Sequence, residues 1–261
     1  MEVLIQPDVD RAALLVARII AAEIRASPKT VLGLATGATM ERVYRQLVRM
    51  HREEKLDFSR CTTFNLDEYV GLAHDDPNSY HAYMRLHLFS QVNLNPSRTH
   101  LPDGAARDHL EEGWRYEKLI REAGGIDLQL LGIGQTGHIG FNEPLSALRS
   151  RTREKALTPT TIKQNAANFG GEDKVPRRAI TMGVGTIMDS RRCVLLATGA
   201  GKADIIAKAV EGPITSMITA SALQWHPRCT VVVDEEAAAK LQGQDYYRWI
   251  FANEPEWEAY R

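Results

Sequence analysis

Little in this chain is in excess, and several things are missing. Lysine plus arginine (32) nearly balance aspartate plus glutamate (33), for a net charge of −1, so no global field draws nucleic acid or an anionic membrane. Recognition must therefore rest on local groups. Only three cysteines occur, Cys61, Cys193 and Cys229, far apart and each in or beside an apolar run. This spacing excludes a disulfide framework and a thiolate metal site, and predicts buried thiols in a reducing compartment. The longest apolar run, Ala12–Ala22, is broken by Arg18 and is too short to span a bilayer. The opening MEVLIQPDVD has neither the basic segment nor the apolar core of a signal peptide, which predicts a cytoplasmic location. No repeat, low-complexity tract or linker is present. What remains, 44% hydrophobic and 25% charged, suits a globular protein with a sizeable core.

The order of elements is an alternation. Asp8 can cap a helix to about Ala26, with Val9, Ala13, Val16, Ile20 and Ile24 on one stripe. Thr30–Leu34 reads as a strand, followed by the turn ATGAT (35–39) and a helix from about Met40. Strands are predicted at Cys61–Asn65, Asp127–Leu131, Ala179–Val184, Cys193–Thr198 and Cys229–Asp234. Helices are predicted from an Asn78 cap to about Phe89, over His109–Ala123, and from Gly199-Ala-Gly-Lys202 to about Glu211. Residues 145–178 show no regular pattern and carry many cations, either a solvated basic loop or a lid or anion-binding segment. The alternation predicts one α/β domain over residues 1–261, three layers thick, with a mostly parallel sheet.

The chemistry concentrates after the strands. Residues 127–143, DLQLLGIGQTGHIGFNE, join an aspartate-led strand to four glycines, one imidazole (His138) and one carboxylate (Glu143). That is either a loop folded around a ligand or a glycine-rich turn whose histidine satisfies backbone groups. The turn at 35–39 could cradle a phosphate on free N–H groups and the Thr36 and Thr39 hydroxyls, or could be a plain connection. It is no P-loop, because no Lys-Ser/Thr pair ends it. Asp67 and Glu68 lie just past a strand, where alternation lets one face a cleft while the other does not. Lys202 sits at a helix start, again where a phosphate would be held. Open α/β sheets bind ligands beyond their strand ends, so a sugar phosphate or similar metabolite is the leading ligand class.

LGLATGAT, TTFNLDEYVGL, GHIGFNEP, and the run from AITMGVGTIMDS to EGPITSMITASALQWHP resemble the glucosamine-6-phosphate deaminase family, in the same order over roughly residues 1–240. The resemblance implies a modified Rossmann-like fold, no metal or other cofactor, and conversion of an aminosugar phosphate and water to a ketose phosphate and ammonia. It implies Asp67 as the base moving a proton between C2 and C1, His138 as the ring-opening group, and Glu143 as its partner. Thr36, Gly37, Ala38, Thr39 and Lys202 correspond to the phosphate site. Ser146, Arg153 and Lys155 correspond to an activator site, and a homo-oligomer is implied.

Two positions depart from that pattern. Thr136 stands where the family has an aspartate beside the histidine, and Ala167 where it has a phosphate-binding arginine, for which Lys163 and Arg177 are candidate substitutes. These departures keep open a deaminase for galactosamine 6-phosphate or another aminosugar phosphate. The intact motifs argue against a 6-phosphogluconolactonase. The absence of a helix-turn-helix argues against a sugar-phosphate sensor that binds DNA.

Overall fold

Seven parallel strands form the centre of the computed structural model, which describes all 261 residues. Across the sheet they run β1 (Glu2–Gln6), β10 (Cys229–Asp234), β9 (Arg192–Ala197), β6 (Leu128–Leu131), β2 (Val31–Leu34), β3 (Thr62–Asn65) and β5 (Thr99–His100). A second, antiparallel sheet joins β4 (Asp67–Tyr69), β8 (Arg178–Thr181) and β7 (Arg153–Ala156). The helices are α1 (Val9–Ala26), α2 (Ala38–Glu54), α3 (Tyr80–Met84), α4 (His109–Glu122), α5 (Pro159–Phe169), α6 (Val184–Met188), α7 (Ala203–Val210), α8 (Glu235–Ala238) and α9 (Gln244–Asn253).

The central strands β9 and β10 are buried along their whole length, as parallel strands covered on both faces must be. Asp8 caps α1 by accepting from the Arg11 N–H at 2.8 Å, and of the expected stripe Ala13, Val16, Ile20 and Ile24 are buried while Val9 in the first turn is half-buried. All three cysteines are buried and free. Burial pushes the thiols of Cys61 and Cys229 up to about 12, so both are unreactive neutral side chains.

The strand order sets the position of the cleft. From β2 the chain proceeds outward through β3 to β5, then crosses back to lay β6 on the other side of β2 and continues to β9 and β10. The order reverses between β2 and β6, so the loops leaving these two strands diverge and open a crevice beyond their carboxyl ends.

Several expectations need correction. Residues 145–178 are largely regular, containing β7, α5 and a turn of 3-10 helix at Glu172–Lys174. Cations dominate this stretch by count, which hides a Thr158 cap followed by Pro159 at the first helical position. The strand expected at Ala179–Val184 is β8, but it pairs antiparallel in the second sheet. Ser79 rather than Asn78 caps α3, its Oγ accepting from the Ala82 N–H at 3.0 Å, and the helix passes into a π-turn at Arg85–Phe89. α2 starts at Ala38, two residues before Met40. β1 and α9 were not foreseen. The tail covers β1 by burying Trp257, whose Nε1 donates to Glu2 at 3.0 Å.

Gly104 packs against the back of β4, where a Cβ would lie 1.9 Å from the Tyr69 carbonyl oxygen. Gly104→Ala is expected to cost about 1–3 kcal/mol by forcing backbone apart. Chemical denaturation checks this, and an unchanged midpoint would show that the loop yields freely.

Candidate active site

A cavity of about 280 Å³ occupies the crevice beyond β2, β6 and β9, and both Asp67 and His138 open into it. Its walls come from the three loops following those strands, from β4 and α3, and from Gln164 and Asn165 of α5. The turn 35–39 forms one end. Gly37 precedes α2 with φ of 118°, a conformation natural to glycine, and Ala38 and Thr39, whose N–H groups precede the first intrahelical bonds of α2, line the cavity. The Gly37 carbonyl accepts from the Tyr83 hydroxyl at 2.9 Å, which holds the turn. Lys202 lines the same cavity, and its Nζ donates to the Ile133 carbonyl at 2.7 Å, tying the loop after β9 to the loop after β6. Burial lowers the Lys202 pKa from that of a free lysine. A helix N-terminus and an ammonium lining one pocket suit an anion.

The other residues carry acid/base chemistry. His138 Nδ1 lies 3.1 Å from Glu143 Oε2 and 2.9 Å from Thr136 Oγ1. An Nδ1–H donating to this pair leaves Nε2 as the nitrogen for exchange with a ligand. Nε2 lies over Gly134, where a Cβ would come within 2.1 Å of it. The second Glu143 oxygen accepts from the Thr158 backbone N–H at 3.1 Å and its hydroxyl at 3.2 Å, joining the loop to the cap of α5. Burial alone would raise the Glu143 pKa, but the His138 hydrogen bond and charge, with donors at Thr161 and Thr158, hold it down at about 2. Thr136 donates to the same carboxylate at 3.4 Å, so the one negative charge that serves the imidazole belongs to Glu143.

Asp67 is buried like Glu143 but has a different supply of donors. It is 6% exposed and accepts no hydrogen bond from the protein, and burial followed by the charge of Glu68 pushes it up to about 8. Glu68 points away from the cavity, as strand alternation predicts. Gly140, with φ of 55°, leaves room beside Asp67, since a Cβ there would stand 3.5 Å from Oδ2. The structure thus gathers Asp67, His138, Thr36, Gly37, Ala38, Thr39 and Lys202 around one space, with Glu143 directly behind His138.

Other sequence candidates lie elsewhere. Lys163 and Arg177 do not line the cavity, and α5 instead presents Gln164 and Asn165. Those two, with Tyr80, were missed by the sequence reading. The Thr158-Pro159 helix start was the available signal for α5. Ser146 is buried, with a hydroxyl that finds no partner. Arg153 and Lys155 share one face of β7, and Arg153 Nη1 donates to Asn142 Oδ1 at 2.9 Å. No group of three or more His, Cys, Asp or Glu side chains is arranged to hold a metal ion.

A protein-family model described as glucosamine-6-phosphate isomerases/6-phosphogluconolactonase matches residues 8–232. A glucosamine-6-phosphate deaminase of Rhodopirellula baltica is 52% identical over 241 residues, covering 92% of this chain and 96% of the relative. One from Rhodococcus opacus is 48% identical over 260 residues, the whole of both chains. A solved monomeric glucosamine-6-phosphate deaminase superposes with a TM-score of 0.91 at 47% identity, covering 92% of this chain and all of that one. The 6-phosphogluconolactonase of Trypanosoma brucei has the same fold, with a TM-score of 0.74 at 20% identity.

A buried carboxylate without donors destabilises the fold when ionised. Because the folded state holds the Asp67 proton up to about pH 8 and the unfolded chain releases it near 3.8, Asp67 reduces stability progressively as pH rises between those values. Asp67→Asn is therefore expected to raise Tm relative to the native protein far more at pH 9 than at pH 4. An equal difference at both would place Asp67 in water.

Proposed function

Because the chain belongs to the glucosamine-6-phosphate isomerase/6-phosphogluconolactonase family, we infer that this cavity isomerises and deaminates glucosamine 6-phosphate to fructose 6-phosphate and ammonia. The observation that carries the assignment is one space holding an anion-binding end, a carboxylate-oriented imidazole and an unsatisfied carboxylic acid. The relatives at about half identity act on the glucosamine epimer by name, which favours it over galactosamine 6-phosphate. The lactonase likeness at 20% identity supports the fold alone.

In this reading the phosphate lies on the first N–H groups of α2 and on Lys202. His138 Nε2 moves a proton to or from the ring oxygen to open the sugar, while Glu143 stabilises the charge that the imidazole gains. Asp67 takes the proton from C2 and returns it to C1, turning the C1 aldehyde into an alcohol and the C2 amine into an imine. Water adds at C2 and the nitrogen leaves as ammonia, so the atoms of one water are accounted for in ketose oxygen and amine hydrogens. A base with a pKa near 8 suits a step in which the same proton is taken and given back. The substrate's ammonium favours ionised Asp67, opposing the effect of burial and of Glu68.

The whole chain acts as one catalytic domain, and residues 145–178 form a cover whose α5 faces the cavity with Gln164 and Asn165. An activator bound near Ser146, Arg153 and Lys155 would reach the loop carrying His138 and Glu143 through the Arg153–Asn142 bond. A cytoplasmic location accords with a soluble metabolite as substrate, and no helix is long and apolar enough to cross a membrane. The expected homo-oligomer lacks support, since the solved structure at 47% identity is of a monomeric deaminase.

Ammonia release is expected from glucosamine 6-phosphate, with little from galactosamine 6-phosphate run alongside. Release from the second alone would reverse the epimer assignment, and binding without release from either would make the chain a sensor. Lys202→Ala should raise KM about tenfold or more, since a charge-assisted contact is worth about 1.5–3 kcal/mol. An unchanged KM would move the phosphate to another part of the cavity.

A further inference from the structure

Glu68 is fully buried beside Asp67 yet faces the opposite way, and the reaction as described does not use it. Its four hydrogen bonds are specific. Oε1 accepts from the backbone N–H groups of Tyr69 at 2.8 Å and Tyr80 at 3.0 Å. Oε2 accepts from the His81 N–H at 3.0 Å and from His81 Nδ1 at 2.9 Å. The carboxylate thereby clamps the first turn of α3 to β4, and these two elements bring Tyr80 and Asp67 to the cavity. Gly104 closes the back, where a Cβ would lie 3.2 Å from Glu68 Cγ.

His81 is the one side chain that hydrogen-bonds Glu68, and it leads away from the active site. Its ring stacks on His74 with centroids 3.9 Å apart and planes 11° from parallel, and His74 Nε2 lies 3.2 Å from Asp103 Oδ1. Both rings border a separate cavity of about 380 Å³, with Arg85 on its rim. The groups bearing on the carboxylate pair are thus Tyr69 on β4, Tyr80 and His81 on α3, and Tyr116 on α4. His74, Asp103 and Arg85 stand behind His81. Burial keeps the three tyrosines protonated, which leaves His81 as the one side chain that holds the Glu68 carboxylate by a hydrogen bond.

We propose that Glu68 and His81 are positioning residues for the deamination: the buried carboxylate, held by the imidazole, orients β4 against α3 and sets the negative field in which Asp67 exchanges its proton. The assignment rests on Asp67 being the base. It gives the two residues opposite electrostatic signs. Glu68 opposes ionisation of Asp67, and His81 offsets Glu68 by donating to it. Neither lines the active-site cavity.

The test is the acid limb of kcat/KM against pH in Glu68→Gln, His81→Leu and His81→Asn. Glu68→Gln removes the charge and should move the limb about one pH unit lower, with a reduced plateau. His81→Leu removes the compensating donor and should move it higher. His81→Asn places an amide N–H near the former Nδ1 and should bring the limb back toward its native position. Limbs that stay in place, or that shift together in one direction, would reduce the pair to a structural clamp and overturn the proposal. Should Glu68→Gln fail to fold, the contrast between His81→Leu and His81→Asn decides it alone. Asp67→Asn, assayed for exchange of the C2 proton with solvent, separates the two layers. Retained exchange overturns Asp67 as the base, whereas lost exchange with an unmoved limb in the other variants overturns only the role of Glu68 and His81.

Discussion

Asp67 is a carboxyl group taken out of water with no donor to receive it, and the rest of the site is arranged around that constraint. Removing an ion from water costs several kcal/mol even after the protein relaxes, so an unpaired acid survives there only as the neutral form or under a rigid frame. The frame is visible. β4 is pinned by β8 on one side, by Glu68 and the first turn of α3 on another, and by Gly104 behind. Gly140 keeps the space in front of it open. A polar donor in that space would satisfy the acid and leave it a poor acceptor for a carbon-bound proton.

Glu143 is the same functional group in the opposite environment. It too is buried, but His138, Thr136 and Thr158 surround it with donors, and its pKa lies near 2 where that of Asp67 lies near 8. Two carboxyl groups near one cavity are driven apart by what each can hydrogen-bond, which separates a permanently charged partner from a proton carrier. Thr136 shows how little is needed for this. A hydroxyl satisfies the imidazole geometrically while one anion supplies all the charge, so the aspartate expected at that position is dispensable to the arrangement. The Thr158 bonds also make the α5 cap part of the site. Any displacement of that helix is felt at the imidazole through a single carboxylate.

Much of this was legible in the residues. Asp8, the apolar stripe of α1 and the short strands at 31–34, 128–131 and 229–234 follow from capping and periodicity, because each depends on neighbours within a turn or a few residues. The alternation implied the parallel sheet, and the sheet implied a crevice at strand ends. Asp67 could be picked out because it follows a strand end, His138 and Glu143 because they sit in a glycine-rich loop, and Lys202 because it opens a helix. Cation count misled at 145–178, where the Thr158-Pro159 signal of α5 was overlooked.

By itself the sequence determined the local elements, the layer architecture and which side chains could carry acid/base chemistry, since these depend on side-chain period, backbone freedom and functional group. Only the tertiary structure decided that Asp67 lies on a separate antiparallel sheet without a donor, that Gln164 and Asn165 rather than Lys163 or Arg177 reach the cavity, and that Glu68 grips His81. Burial, donor supply and the facing of a helix are properties of contacts between segments distant in the chain, as between Asp67 and β8 or between Lys202 and Ile133. No local pattern encodes them. The chemistry of a carboxyl group is set by which of those contacts it receives.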